Sequence, residues 1–335
     1  MRALAPLRRA FASASGADRL AAIRALRERT GAPIVDVKNA LAAHDYDAEA
    51  ALDRLRALGV AAAAKKAHRA SADGVVCATT DGRTCAIAEV NSETDFVARN
   101  ETFRALARAA ATATATRLVE DAAFASECGT IVDGRVREVG EERLREMRAT
   151  SGKTLGEMAR ETAVSVRENV RVRRAAAYAA TAGSEEVIGT YVHGALAPGV
   201  GRQAACVVAK GVSVDFANKL AMHVVASAPA YLRGDCVPND VREREMAVYR
   251  SQTEGSGKPA NIVEKILAGR MNKFYEEVCL ENQKFVLDDS VTVGKAVKAE
   301  GGELIAFSRI KVGEGIDVEE KDFASEVAEA VRSTT

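Results

Sequence analysis

The chain has 335 residues, of which 47 are basic and 47 acidic, and it contains no tryptophan. Its length exceeds one ordinary core and predicts several modules, while the cancelled charge supplies no overall field to draw in nucleic acid or a membrane surface. No apolar run approaches the roughly 18 to 20 residues that cross a bilayer, so the mature protein is expected to be soluble, with no direct nucleic-acid or membrane partner.

The six cysteines (Cys77, Cys85, Cys128, Cys206, Cys236, Cys279) are scattered without a Cys-x-x-Cys, and the four histidines lie far apart. Reduced thiols, no metal and no cofactor are therefore expected. Cys77 and Cys85 are the closest pair, but a two-residue hairpin at Asp81-Gly82 pairs residue 78 with Cys85 and leaves the two sulfurs on opposite faces.

In chain order, residues 1–17 carry Arg2, Arg8 and Arg9 among Ala and Ser, with Leu4, Leu7 and Phe11 and no acid before Asp18. That pattern reads as a transit peptide for the mitochondrial matrix, with a plastid as the alternative address and cleavage after Phe11. Residues 18–59 place Leu20, Ile23 and Leu26, then Ile34, Val37 and Leu41, then Ala51, Leu52 and Leu55 at helical spacing, which predicts a compact three-helix module broken at Gly31-Ala32-Pro33. Residues 60–73 are an Ala-Lys linker whose charged face is solvated.

Residues 74–180 open with two β-branched runs, Gly74 to Ala78 and Cys85 to Asn91, joined by the Asp-Gly turn and followed by a helical pattern from Glu101 to Thr116. Helices are expected to link onward from Glu138 to Arg174, where Leu144, Met147, Leu155, Met158, Val166 and Val170 recur at helical intervals. Residues 181–238 repeat the order: strands at Val187 to His193 and Gln203 to Lys210, then a helix from Ser213 to Ser227. Asp95-Phe96 is echoed by Asp215-Phe216, which suggests two related subdomains.

Residues 239–286 predict a protruding helical hairpin with arms Asn239 to Thr253 and Pro259 to Asn282, split at Gly255-Ser256-Gly257. A stripe of Ile262, Ile266, Leu267, Met271, Phe274 and Val278 can close on the first arm or serve a partner. Residues 287–335 restore a strand pattern at Gly302 to Val312 and end in an amphipathic helix from Asp322 to Val331.

Ser151-Gly152-Lys153-Thr154 imitates the end of a phosphate-binding loop, but Met147 stands where the opening glycine belongs; Gly255-Ser256-Gly257-Lys258 is followed by Pro259 in place of the magnesium-holding hydroxyl. No bond-making chemistry is expected. The informative segment is the end of the second strand, where Ser92-Glu93-Thr94-Asp95-Phe96-Val97 surrounds one large aromatic with residues that cap helices.

Val90-Asn91-Ser92-Glu93-Thr94-Asp95-Phe96-Val97-Ala98-Arg99-Asn100-Glu101 resembles the signature of the elongation factor Ts family, and Leu26-Arg27-Glu28-Arg29-Thr30-Gly31-Ala32 resembles that family's N-terminal signature. The resemblance continues through Tyr191-Val192-His193-Gly194, Ala221-Met222-His223-Val224, Ile262 to Ile266 with Gly269-Arg270-Met271, and Val312 to Ile316. It implies an α+β fold: a ubiquitin-associated-like three-helix domain, a core of two strand-hairpin-helix subdomains and an inserted coiled-coil hairpin in its long, bacterial form.

The implied partner is elongation factor Tu, GDP-bound and nucleotide-free, from which such a factor promotes GDP release without a cofactor. Thr94, Asp95, Phe96 and Val97 match the segment that enters the GTPase near its magnesium site. Arg27, Ile34, Val35 and Lys38 match contacts to the GTPase domain, although Pro33-Ile34-Val35 departs from the Met-rich form of the family. His223 matches a core contact, while its spacing from Phe216 and Leu220 places it on a buried helix face. The alternative is a ubiquitin-associated-domain adaptor without exchange activity; an enzyme is left without a site to nominate.

Overall fold

The computed structural model describes residues 16–316 except 31, 33, 67–69, 132–134, 182 and 254–258. Most of the expected transit peptide, the Gly255-Ser256-Gly257 break and the C-terminal helix expected from Asp322 to Val331 lie outside the described residues. Helices α1 (Gly16–Thr30), α2 (Ile34–Ala43) and α3 (Ala48–Lys66) come first. They close around Ile23, Leu26, Val37, Leu41, Leu52 and Leu55, whereas Leu20 and Ile34 of the same apolar spacing stay exposed.

The chain then forms β1 (Asp73–Thr80) and β2 (Thr84–Ser92), a 3-10 turn at Asp95–Arg99, and α4 (Glu101–Glu120). Next come α5 (Ala122–Glu127), β3 (Gly129–Ile131), β4 (Val136–Gly140), α6 (Glu141–Glu146), α7 (Leu155–Val166) and β5 (Arg171–Ala179). With β7 (Val200–Gly201), met after β6 (Glu186–His193), these strands make a six-stranded sheet in the order β3-β4-β5-β2-β1-β7. Helix α4 lies on one face and buries Phe103 and Leu106 completely against Val75, Val90 and Ala175; each such side chain contributes about 1.5–3 kcal/mol.

Strand β8 (Gln203–Lys210) is the centre of a second sheet, β11-β8-β6, completed by β11 (Glu303–Lys311). Helix α8 (Val214–Ser227) covers its outer face through Leu220, Ala221 and Val224. A Cβ at Gly189 on β6 would lie 2.1 Å from the Ala217 backbone, so only glycine lets α8 sit this low. The inner faces of the two sheets meet over Val76, Ile87, Ile188, Val208 and Ile305, giving four layers from helix to helix. Between α8 and β11 the chain runs through α9 (Asn239–Thr253), α10 (Ala260–Val278), the short pair β9 (Lys284–Phe285) and β10 (Asp288–Thr292), and α11 (Val293–Ala299). Arg270 of α10 stacks over the Tyr249 ring of α9 at 5.6 Å, Leu267 and Met271 are buried, and Ile262 stays 39% exposed.

Three expectations are corrected. The helical reading of Glu138 to Arg174 misses β4 and overruns α7. From Arg171 the chain is a central strand between β2 and β4. Ala175 faces α4 and Ala176 faces the other sheet, so residues with poor intrinsic strand preference are used because they leave room for packing on both sides. The β1-β2 hairpin pairs Thr80 with Cys85, a shift of two residues from the expected register that keeps the parity of the faces. Finally, the expectation of wholly reduced thiols fails at one pair: Cys85 on β2 and Cys206 on β8 form a disulfide between the sheets, 121 residues apart in sequence. Sequence proximity could not reveal a pair that meets only when two sheets stack. Among the described residues this is the one disulfide, and burial pushes the Cys77 and Cys279 thiols up to about 11, leaving them inert at neutral pH.

Candidate functional site

Strand β2 leads to the site through a buried charge. Glu89 is fully enclosed, accepts from Arg173 at 3.1 Å and Arg174 at 2.6 Å, and also accepts the Asn91 amide at 3.0 Å and the Gly313 backbone N–H at 2.7 Å. Consecutive strand residues normally point to opposite faces. Here the β2-β5 pairing passes from Glu89 opposite Arg174 to Val90 opposite Val172, so Arg173 is the extra residue of a bulge and both guanidinium groups reach one carboxylate. Gly313, with φ +75°, can approach because a Cβ there would lie 2.3 Å from the Ala72 carbonyl oxygen. The end of β2 is thereby tied to β5 and to the segment after β11.

Beyond this anchor, the segment from Ser92 to Ala98 is held on both sides of one aromatic. Ser92 Oγ donates to the Thr94 carbonyl at 2.9 Å. Thr94 donates through its N–H at 2.8 Å and through Oγ1 at 2.5 Å to the two carboxylate oxygens of Glu168, and Glu93 accepts the Asn169 N–H at 2.7 Å. Downstream, Val97 and Ala98 are buried in the α4 core and Asn100 caps α4 by accepting the Phe103 N–H. Between these anchors Asp95 is exposed, and Phe96 is 77% exposed, the highest value for a large apolar side chain among the described residues. A burial-driven core would enclose a free phenyl ring; here backbone and neighbours hold it outward.

Other site residues fall on two more surfaces. Ile34 (52% exposed), Val35 (61%) and Lys38 form the outer face of α2, whose inner face is Val37 and Leu41; Arg27 is exposed in the last turn of α1. Asp36 of α2 pairs with Arg167, the residue before Glu168, at 2.7 Å. The α7-β5 turn therefore touches both α2 and the Phe96 segment.

His223 lies apart, on α8, fully buried. Its Nδ1 accepts the Val286 N–H at 3.2 Å, which places the proton on Nε2, and Nε2 donates to Gln283 Oε1 at 3.1 Å. Gln283 is itself oriented by donating Nε2 to the carbonyls of Ser227 and Glu277. Burial pushes the imidazole below its ordinary value of 6.5, against a smaller opposing effect of the Gln283 hydrogen bond. In the free chain two of the expected contact residues are packed inside: Val97, at 6% exposure, in the α4 core, and His223 beneath the exposed turn Val286-Leu287. Sequence reasoning did not single out Glu89, Arg167, Glu168 or Asn169. The signal available was a polar run, Arg167-Glu168-Asn169, where the apolar spacing of a helix stops.

No helix among the described residues is long and apolar enough to cross a membrane, and no cluster of three or more His, Cys, Asp or Glu able to hold a metal occurs among them.

A family model described as elongation factor TS matches residues 93–314, which contain both Phe96 and His223. The chain is 69% identical over 331 residues to a mitochondrial elongation factor Ts of Ostreococcus tauri, covering 99% of this chain and 97% of that one. It is 42% identical over 312 residues to elongation factor Ts of Alcanivorax borkumensis, covering 92% and 99%, and 39% identical over 321 residues to that of Brucella ovis, covering 92% and 97%. With more than half its length matched by the family model and near-complete overlap with these relatives, the chain belongs to the elongation factor Ts family.

Proposed function

We propose that this chain is the guanine-nucleotide exchange factor for the elongation factor Tu of an organelle, acting on the GDP-bound and nucleotide-free GTPase. The observation that carries the reading is Phe96, 77% exposed at the tip of a segment anchored on both sides. A protruding ring whose backbone is already ordered loses little conformational freedom on insertion, so its burial energy goes into the complex. Entering near the magnesium site, Asp95 and Phe96 displace side chains that keep the metal and phosphate loop in place. Metal bridging to phosphate supplies much of the nucleotide's affinity. A factor that binds the disrupted conformation more tightly must weaken GDP by the same factor. No bond-making residue is required.

In this reading Thr94 orients the tip, Val97 anchors it, and the face of Arg27, Ile34, Val35 and Lys38 adds a second contact from a ubiquitin-associated-like module at residues 18–59. His223 supports a third contact through the Val286-Leu287 turn, and α9 with α10 serves as a coiled-coil hairpin. The mitochondrial name of the Ostreococcus tauri relative supports an organellar address, for which we favour the matrix over a plastid; the relatives lend no support to a ubiquitin-binding adaptor. The test is stopped-flow release of a fluorescent GDP from organellar elongation factor Tu at matched magnesium. The unmutated chain is expected to accelerate release and Phe96→Ala to lose most of that acceleration; no acceleration by the unmutated chain would sink the assignment.

A further inference from the structure

The aim of Phe96 is set by residues that lie far from it in sequence, because the 3-10 turn Asp95–Arg99 does not orient itself. Thr94 occupies the position that caps the turn, yet its side chain makes no capping hydrogen bond there. Instead its N–H and Oγ1 both go to Glu168, and its carbonyl accepts from Ser92. All three polar groups of the residue preceding Asp95-Phe96 are thus committed outside the turn, two of them to one carboxylate.

The reverse exchange completes a clamp: Glu93 accepts the N–H of Asn169, the residue after Glu168, and Ser71 donates to the Asn169 carbonyl at 3.4 Å. This turn can face the end of β2 because Arg167 caps α7 in the left-handed region at φ +62°, which stops the helix and swings Glu168 back. Arg167 in turn holds Asp36, between the exposed Val35 and Lys38 of α2. One three-residue turn therefore contacts both surfaces assigned to the partner.

The geometry points to Glu168 as a positioning residue for nucleotide exchange: its carboxylate fixes Thr94 and thereby aims Phe96. The role rests on the exchange reading above. Carboxylate hydrogen bonds are stronger than neutral ones and a bidentate arrangement adds direction, so Glu168 limits the tip to one orientation relative to β5 and α2. Without it the segment stays tethered by Val97 and Ala98, and the tip searches a wider range of orientations before it can enter the GTPase.

The test uses the full chain with Glu168→Ala and Glu168→Gln, beside Phe96→Ala, in the same GDP-release assay across a range of factor concentrations. The glutamine side chain can still accept the Thr94 N–H through Oε1 and donate to Oγ1 through Nε2, so it serves as the conservative rescue. Glu168→Ala is expected to lower the maximal release rate about tenfold, the scale of a small misplacement of a reacting group, with little change in the half-saturating concentration. Glu168→Gln is expected to recover most of the rate. Amide hydrogen exchange should quicken at residues 94–98 in Glu168→Ala while α4 keeps its protection. If Glu168→Ala releases GDP at the unmutated rate while Phe96→Ala does not, the positioning role is wrong and the exchange reading stands. If alanine and glutamine lose the rate equally together with a fall in melting temperature, Glu168 is a fold support only and the inference is overturned. Unmutated rates for Phe96→Ala and Glu168→Ala alike would overturn the wedge reading and this inference with it.

Discussion

The dipeptide Asp-Phe occurs three times in the sequence; the two copies among the described residues each follow a core strand near the start of a helix, and they have opposite fates. Asp215-Phe216 lies in the first turn of α8, where Ser213 caps the helix by accepting the Phe216 N–H at 3.2 Å, and Phe216 packs on Phe285 at 5.9 Å between ring centroids. Asp95-Phe96 lies in a short 3-10 turn set before α4, and its ring remains 77% exposed. The residue pair is the same; the cap differs. When the capping side chain serves its own helix, the phenylalanine follows the helical spacing inward. When the capping threonine is taken by Glu168 from another part of the chain, a separate turn is held in front of the helix and the ring points out.

The sharpest way to break this comparison is to truncate each ring. Phe96→Ala is expected to reduce acceleration of GDP release by about thirtyfold or more, the effect of removing an interface hot spot worth roughly 2 kcal/mol, while leaving the melting temperature unchanged because the ring packs little in the free chain. Phe216→Ala is expected to do the reverse, costing about 2 kcal/mol of stability for a partly buried aromatic with the release rate intact below the melting range. Calorimetry and stopped-flow kinetics on both variants decide it; equal kinetic losses would show that the two copies are not functionally distinct.

The largest effect on stability is expected at Glu89, since the strand that presents Phe96 depends on it. Arg173 and Arg174 keep 19% and 25% exposure and can recover water when the carboxylate is removed, whereas the Gly313 N–H and the Asn91 amide lose a buried acceptor. Glu89→Ala is therefore expected to cost about 3 kcal/mol, toward the lower end for a broken buried pair, read by denaturant unfolding. A change below about 0.5 kcal/mol, the scale of a neutral surface substitution, would mean that the network contributes nothing net.

These elements divide what could be read in the sequence from what could not. The strands and helices with a strong local pattern are legible: β2, β6, β8, α4 and α8 fall where apolar, β-branched runs or helical spacing put them. So is the Phe96 segment, through a family resemblance that covers contiguous residues. Strand β5 is not, because Arg171 to Ala179 contains three consecutive alanines and four arginines are spread over Arg167 to Arg174, a composition that favours helix until α4 and a second sheet require small side chains. The clamp is not legible either. Thr94 and Glu168 are 74 residues apart, and nothing local in either segment indicates that a cap has been borrowed.

A smaller and pH-dependent effect is expected beneath Phe216. Phe285 lies between Phe216 and His223, with ring centroids 5.9 Å from each. His223 has its proton on Nε2 and accepts a backbone N–H at Nδ1, so an added proton would put two donors face to face. Its folded value lies below the ordinary 6.5 because burial disfavours the charged ring. The unfolded chain thus binds a proton that the native chain refuses. The associated stability is complete above 6.5 and is lost as pH falls below it toward the folded value, with a slope of at most about 1.4 kcal/mol per pH unit for one proton. Replacing the ring by His223→Gln should flatten this part of the stability profile between neutral pH and pH 5; an unchanged slope would assign it to other groups.

The smallest expected effect separates the two caps themselves. Ser213 satisfies the Phe216 N–H, a group left without an intrahelical partner at the start of α8, so Ser213→Ala should cost about 1 kcal/mol, the usual value for a lost N-cap, and leave GDP release unaltered. Thr94→Ala removes no cap from its own turn and keeps the N–H that Glu168 accepts, losing only the Oγ1 hydrogen bond. Its effect should appear in the release rate and not in the unfolding midpoint. If Thr94→Ala instead lowers stability as Ser213→Ala does, with release unchanged, the two sites are ordinary helix starts and the contrast between an inward and an outward phenylalanine must be traced to the strands that precede them.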